Sequence, residues 1–142
     1  MVKAFKPSDF MNIVNNGAAP PNCDRTMQTK PLYAENGIAK GIWNVDEKYL
    51  NGNGVSMGGF LASAADIMMA YAITSQLKEN QTFASIDLQT TFHRPVSIGT
   101  VEVVAKVERL GKKVAYLEAE LTQHDKAVGK AVSSIMIIEN DR

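Results

Sequence analysis

The segment from Gly58 to Lys78 constrains most strongly what this chain can fold into. It predicts one long helix whose apolar and small side chains cover nearly the whole circumference. A helix that is apolar on every side is buried on every side, and one sheet covers only one of them. We therefore expect a second layer on the far side, and a second copy of the chain is its simplest source.

Asp66 is the one charged residue well inside this predicted helix. An isolated buried carboxylate is costly, and its pKa rises unless the group is paired. Two interpretations follow from the residue type. Asp66 is either a structural carboxylate bonded to a hydroxyl or a backbone N–H, or a general base or nucleophile in a dry cleft.

Gly58 and Gly59 open the same helix. Because no side chain blocks their N–H groups, the two glycines can donate hydrogen bonds to a carbonyl oxygen or an anion. The alternative interpretation is that they only allow a tight turn from the loop into the helix. Eight residues separate Gly58 from Asp66, which is about 12 Å along a helix axis. Two antiparallel copies of the helix would bring the two groups together, so the sequence predicts a twofold dimer with composite sites.

Six strand patterns accompany the helix and predict an α+β fold with a curved antiparallel sheet of about five to six strands. They lie at about 31–35, 38–45, 85–95, 101–110, 113–121 and 127–138. Asn36-Gly37 predicts a tight hairpin between the first two. A short helix at 9–14, capped by Ser8, and a loop at 17–25 precede them. We expect one domain over residues 1–142.

The charge balance excludes several classes of partner. Fifteen Lys and Arg residues match fifteen Asp and Glu residues, so we expect neither nucleic-acid nor membrane binding.

The single cysteine, Cys23, allows no internal disulfide and no cysteine-based metal site. His93 and His124 complete no ligand set, so we expect no metal. The first ten residues lack a secretory pattern, and we expect a reducing, cytoplasmic location.

The stretch from Leu50 to Asp66 resembles the signature of hotdog-fold thioesterases of the phenylacetic-acid-degradation (PaaI-like) type. That signature is Asn, five residues, His-Gly-Gly, six residues and Asp, and the spacing from Asn51 through Met57 to Asp66 matches it. The strand that ends in Arg94-Pro95 is similar to the family's strand after the central helix. The resemblance covers about residues 30–138, with the short helix and loop of residues 1–29 outside this hotdog core.

The resemblance implies a long central helix wrapped by a curved antiparallel sheet, in chains that form dimers and often tetramers. It also implies cofactor-free hydrolysis of an acyl-CoA thioester. Asp66 would activate water or attack the carbonyl carbon, and the Gly58 N–H of the facing subunit would bind the carbonyl oxygen. Asn51 would position water or the thioester. Ser85 lies where some relatives place a hydroxyl that assists the water.

Met57 replaces the family's histidine, and a methionine transfers no proton. The enzyme interpretation therefore has an alternative, a hotdog protein that binds acyl-CoA without turnover. A hotdog dehydratase fits less well, because those enzymes use a catalytic histidine. Residues near the signature and basic residues at strand ends are expected to bind substrate, with core packing or a solvated surface as the alternative: Met57, Gly59, Phe83, Arg94, Lys112 and Lys113.

Overall fold

Two short helices, a hairpin, one long helix and five further strands follow one another in the computed structural model, which describes residues 2–140. The helices are α1 (Pro7–Asn16), α2 (Asn22–Met27) and α3 (Gly58–Thr74). The strands are β1 (Thr29–Glu35), β2 (Ile38–Val45), β3 (Gln81–Ser85), β4 (Gln89–Phe92), β5 (Gly99–Leu110), β6 (Val114–Gln123) and β7 (Lys126–Glu139). A 3-10 turn at Glu47–Tyr49 follows β2.

The strands form one antiparallel sheet in the order β1-β2-β5-β6-β7-β3, and β4 also pairs with β7. The predicted Asn36-Gly37 hairpin is confirmed, with φ values of 53° and 80°. His124 and Asp125 join β6 to β7 with φ values of 54° and 62°. Positive φ at both turn residues gives the backbone twist that suits a two-residue hairpin. The sheet wraps α3, which is the hotdog arrangement that the resemblance implies.

The strand predicted at 85–95 is interrupted. Ser85 and Thr90 are five residues apart in the chain. Their partners on β7, Ile135 and Ala131, are only four residues apart. The extra residue is a bulge, and it moves Ile86 to a position that is 53% exposed. The prediction of one continuous strand at 85–95 is therefore wrong, because β3 ends at Ser85 and β4 covers only Gln89–Phe92. Asp87 anchors the bulge, because its carboxylate accepts the Ser134 N–H at 2.8 Å.

The N-terminal segment is more helical than the sequence predicts. α2 occupies part of the predicted loop at 17–25. Ser8 lies inside α1 instead of capping it, because Pro7 takes the first helical position and Lys6 becomes the N-cap. α3 ends at Thr74, four residues before Lys78.

α1 and α2 cover the C-terminal half of α3. The rings of Phe10 and Tyr71 meet edge to face with centroids 5.4 Å apart, and Met27 joins the same buried cluster. Over this half of α3, α1 and α2 therefore provide the second layer whose simplest source was expected to be another copy of the chain. None of the helices in residues 2–140 has the length and apolarity needed to cross a membrane.

One face of α3 remains open to solvent in part, and we call it the open stripe. Its members are small residues and one carboxylate at helical spacing: Gly59, Ala62, Ser63, Asp66 and Ala70. Neither α1, α2 nor the sheet closes this face.

Candidate active site

Asp66 and Ser85 meet beside the open stripe. Ser85 is the last residue of β3, and its hydroxyl donates to Asp66 Oδ1 at 3.4 Å. This bond is longer than the usual O–H···O distance of about 2.8 Å. No basic side chain pairs with Asp66 in the described part of the chain. The Asp66 carboxylate therefore keeps most of its acceptor capacity free.

Burial raises the pKa of Asp66, and the hydrogen bond from Ser85 opposes that rise. The larger cause is the loss of water around the charged form, since the helix surroundings are apolar. A carboxyl group with a raised pKa is a better proton acceptor when it is ionised. The geometry therefore suits a base that holds or removes a proton.

The N-terminus of α3 has unused backbone donors. Met57 is the N-cap, and its side chain makes no capping bond. Within residues 2–140, the N–H groups of Gly58 and Gly59 have no hydrogen-bond acceptor. A helix N-terminus with free N–H groups stabilises negative charge, such as that developing on a carbonyl oxygen.

Phe92 packs over this helix end and explains one of the two glycines. A Cβ on Gly58 would lie 2.6 Å from Cζ of Phe92, so the ring requires glycine for its close approach. Phe92 is 54% exposed and Met57 is 48% exposed. The two side chains form an apolar rim beside the free N–H groups, and Met57 approaches Gly59 from the other side.

Gly58 also lines a cleft of about 350 Å³ together with Phe92, His93 and Arg94. The guanidinium of Arg94 is held at this cleft by donation from Nη1 to the Ala127 carbonyl at 2.7 Å. The structure thus brings together in one cleft Gly58, which was predicted to bind the carbonyl oxygen, and Arg94, which was predicted to bind substrate.

Asn51 stabilises the loop that leads to α3. Its side-chain oxygen accepts the N–H of Asn53 at 2.8 Å and, at 3.4 Å, the N–H of Val55. The loop closes through a bridge between Leu50 and Ser56. Asn51 therefore lies at the Gly58 end of α3, with its amide nitrogen free of acceptors within residues 2–140.

The remaining predicted substrate contacts are elsewhere. Phe83 packs against Phe10 with ring centroids 6.3 Å apart, as part of the core. Lys112 and Lys113 lie in the exposed turn between β5 and β6, and neither lines the cleft at Gly58. Three large side chains of α3 are fully buried core residues: Met68, Met69 and Tyr71. His124 lies in the exposed β6–β7 turn.

The sequence did not reveal a second buried carboxylate. Asp24 on α2 is 2% exposed and accepts the hydroxyl of Tyr71 at 2.5 Å. Burial raises the pKa of Asp24, against the opposing effect of the Tyr71 hydrogen bond. Asp24 stands in a polar stretch that predicts a loop, so no local pattern indicates its burial. No group of three or more His, Cys, Asp or Glu residues suited to a metal occurs within residues 2–140.

Comparison with known proteins identifies the family. The family model described as "Thioesterase superfamily" matches residues 53–130. The "Putative esterase PA0474" of Pseudomonas aeruginosa is 30% identical over 88 residues, which are 61% of this chain and 66% of that protein. The match thus spans just under two thirds of this relative. The chain belongs to the thioesterase superfamily.

Solved structures agree on the fold. A phenylacetic acid degradation-related protein of Ralstonia eutropha is 25% identical, with a TM-score of 0.84 over 89% of this chain and 98% of that one. The PaaI protein from the phenylacetic acid degradation operon of E. coli is 23% identical, with a TM-score of 0.83 over 96% of this chain and 98% of that one. Both similarities support the hotdog architecture.

Proposed function

We propose that this chain is an acyl-CoA thioesterase that hydrolyses small or medium acyl or aryl thioesters. The observation that carries the proposal is the Asp66–Ser85 pair, a partly buried carboxylate with free acceptor capacity on an otherwise apolar helix. Membership in the thioesterase superfamily supports the same reaction.

Two roles of Asp66 give this hydrolysis. As a general base it takes a proton from a water whose oxygen bonds to the carbonyl carbon, and the C–S bond then breaks. As a nucleophile it bonds to that carbon and expels the thiolate, and water hydrolyses the resulting anhydride. In both routes the proton removed from water passes to the leaving thiolate, so the products are a carboxylic acid and a free thiol. The Ser85 hydroxyl orients the carboxylate or the water.

The carbonyl oxygen requires a donor, and the Gly58 N–H supplies it in this proposal. Asp66 is about 12 Å from Gly58 along its own helix, so the donor comes from a second copy. The open stripe supports this arrangement, because its small residues allow a second helix to approach closely. The free edge of β3, which pairs only with β7 among the described strands, is a further surface for a second copy.

The other predicted site residues have supporting roles. Asn51 positions water or the thioester with its free amide nitrogen, and Met57 and Gly59 border the acyl group. Arg94 binds a phosphate of coenzyme A, since a guanidinium suits that group. The predicted substrate contacts of Phe83, Lys112 and Lys113 remain predictions, and they require a partner chain. A dimer of dimers and a cytoplasmic location also remain predictions.

Thiol release from a panel of acetyl-, hexanoyl-, palmitoyl-, phenylacetyl- and benzoyl-CoA tests the proposal. We expect wild-type turnover on at least one member and a loss of about a hundredfold or more in D66N, because the base or nucleophile is gone. The rate should also rise with pH as Asp66 deprotonates. A D66N variant that keeps full turnover would remove Asp66 from the mechanism.

Mixing two inactive variants tests the composite site. Gly58→Pro removes the N–H at a first helical position, which accepts proline. Proline also adds a Cβ that meets the Phe92 ring, so Gly58→Ala, which adds the Cβ and keeps the N–H, is the matched control. In a heterodimer of G58P with D66N, one site combines the intact Asp66 of the first chain with the intact Gly58 of the second. Equal mixing should restore about a quarter of the wild-type activity. Mixtures that stay inactive, although the chains exchange, would contradict the composite site.

Met57 supports the alternative of acyl-CoA binding without turnover. If no panel member is hydrolysed but acyl-CoA raises the melting temperature, the protein belongs to that binding class.

A further inference from the structure

The bulge between β3 and β4 is held against β7 by Asp87. The Ile86 N–H donates to the Ser134 carbonyl at 2.8 Å, as in a regular antiparallel ladder. The Ser134 N–H, which a regular ladder would direct to the Ile86 carbonyl, donates instead to Asp87 Oδ1 at 2.8 Å. The Asp87 carbonyl accepts the hydroxyl of the fully buried Ser133 at 2.7 Å. The Asp87 carboxylate thus replaces a strand carbonyl where the ladder is interrupted.

The bulge also decides which face of the sheet Ser85 and Phe92 occupy. The two residues are seven positions apart, an odd number, so an uninterrupted strand would direct their side chains to opposite faces. The extra residue in the bulge directs both side chains to the face that holds α3. There the Ser85 hydroxyl donates to Asp66, and the Phe92 ring packs on Gly58. Both ends of the candidate site therefore depend on the same bulge.

The acceptor on Asp87 favours the bulge over a regular ladder. Without that acceptor the Ser134 N–H has no partner in the bulge, and an unpaired backbone donor costs free energy. A slip of β3 or β4 by one residue would pair this N–H with the Ile86 carbonyl. Such a slip turns every side chain of the moving strand to the other face of the sheet.

We propose that Asp87 is a positioning residue, whose carboxylate holds the bulge that brings Ser85 to Asp66 and Phe92 to Gly58 at the same time. This inference rests on the proposed function, in which Asp66 and the Gly58 N–H act on the thioester. Asp87 acts through the register of the strands, so its carboxylate needs no contact with substrate.

Two engineered disulfides report the register directly. Ala84 lies opposite Met136 and Thr91 lies opposite Lys130, and all four residues are exposed. Opposite residues of an antiparallel pair have Cα atoms about 4.5–5.5 Å apart, which a disulfide can span. Each pair is replaced by cysteines in a separate chain that also contains Cys23→Ser. We expect both pairs to cross-link on mild oxidation of the folded protein, as counted by the loss of free thiols.

Three changes at Asp87 then separate the register from other effects. Asp87→Ala should lose at least one cross-link, because an uninterrupted strand cannot keep both pairs opposite. Asp87→Asn keeps an acceptor for the Ser134 N–H and should keep both. Deletion of Asp87 removes the extra residue together with the carboxylate, so a regular ladder again directs Ser85 and Phe92 to one face. The deletion variant should therefore also keep both cross-links.

Thioester hydrolysis should follow the cross-links. We expect Asp87→Ala to lower kcat/KM about tenfold or more, because one end of the site is displaced. Asp87→Asn and the deletion variant should stay within about threefold of wild type. A carboxylate that acted on substrate, or merely stabilised the fold, would not be replaced by its own deletion.

Both cross-links at wild-type yield in D87A would overturn the proposal, and so would wild-type turnover in a D87A chain that has lost one. If D87A does not fold, the deletion variant decides. Both cross-links in the deletion variant support the positioning role, and the loss of either overturns it. The cross-links require no turnover, so they test Asp87 even if wild type hydrolyses no thioester and the proposed function fails.

Discussion

The two flanks of α3 each place a carboxylate next to a hydroxyl donor. On one flank Asp24 accepts the hydroxyl of Tyr71 at 2.5 Å, and both residues are buried. On the other flank Asp66 accepts the hydroxyl of Ser85 at 3.4 Å beside the open stripe. Burial raises the pKa of both carboxyl groups.

The difference between the flanks comes from what covers them. α1 and α2 close the Asp24 flank, so its hydrogen bonds must be completed within the chain. The Asp66 flank has no such cover, and its carboxylate is left with a single long bond. The same chemical pair therefore stabilises the fold on one side and remains available to water and substrate on the other.

Deleting the hydroxyl on the closed flank should have the largest effect on stability. Tyr71→Phe leaves the buried Asp24 carboxylate without its shortest hydrogen bond, and we expect a loss of about 3 kcal/mol. For a chain of this length the melting temperature would fall by about 10 °C. Denaturant unfolding at neutral pH measures the effect. A loss below about 0.5 kcal/mol would mean that the bond between Tyr71 and Asp24 contributes little.

A comparison of D66N with wild type isolates the contribution of Asp66 to the pH dependence of stability. Burial raises its folded pKa above the ordinary value of 3.8, so the folded chain holds this proton more tightly than the unfolded chain. The free energy of unfolding of wild type therefore falls as pH rises from about 3.8 to the raised pKa of Asp66.

We therefore expect D66N to match wild type at acidic pH and to exceed it in stability at neutral pH. Urea unfolding of both chains across this range measures the difference. A wild type that gains stability over D66N as pH rises would contradict the raised pKa.

Deleting the hydroxyl on the open flank should change stability much less. Ser85→Ala removes a 3.4 Å bond at an exposed position, and we expect a loss of at most about 0.5 kcal/mol. Thioester hydrolysis should nevertheless fall about tenfold in kcat with little change in KM, because the hydroxyl orients the reacting groups. A stability loss as large as that of Y71F would make the two flanks equivalent.

Restoring the family histidine should have the smallest effect on folding. Met57 is exposed at the N-cap of α3, so Met57→His should change stability by less than about 0.5 kcal/mol. Steady-state kinetics then isolates the effect on turnover. A large loss of stability would show that the Met57 side chain supports the loop before α3.

Local patterns predicted much of the fold. The long apolar helix, the Asn36-Gly37 hairpin and the last three strands follow from periodicity and turn chemistry, which act over a few residues. The bulge at Ile86–Leu88 was missed, because alternation over four residues looks unbroken in the sequence. Only pairing with β7 and the anchoring of Asp87 by Ser134 decide where the register changes.

By itself the sequence determined that Asp66 is an isolated charge on an apolar helix and that two glycines begin that helix. The tertiary structure decided which groups meet it. Ser85 is 19 residues from Asp66 in the chain, and Tyr71 is 47 residues from Asp24. Periodicity reports on neighbours within a turn or a strand, whereas these contacts depend on how the sheet and α1 and α2 pack around α3. That packing leaves one carboxylate enclosed and the other open to solvent.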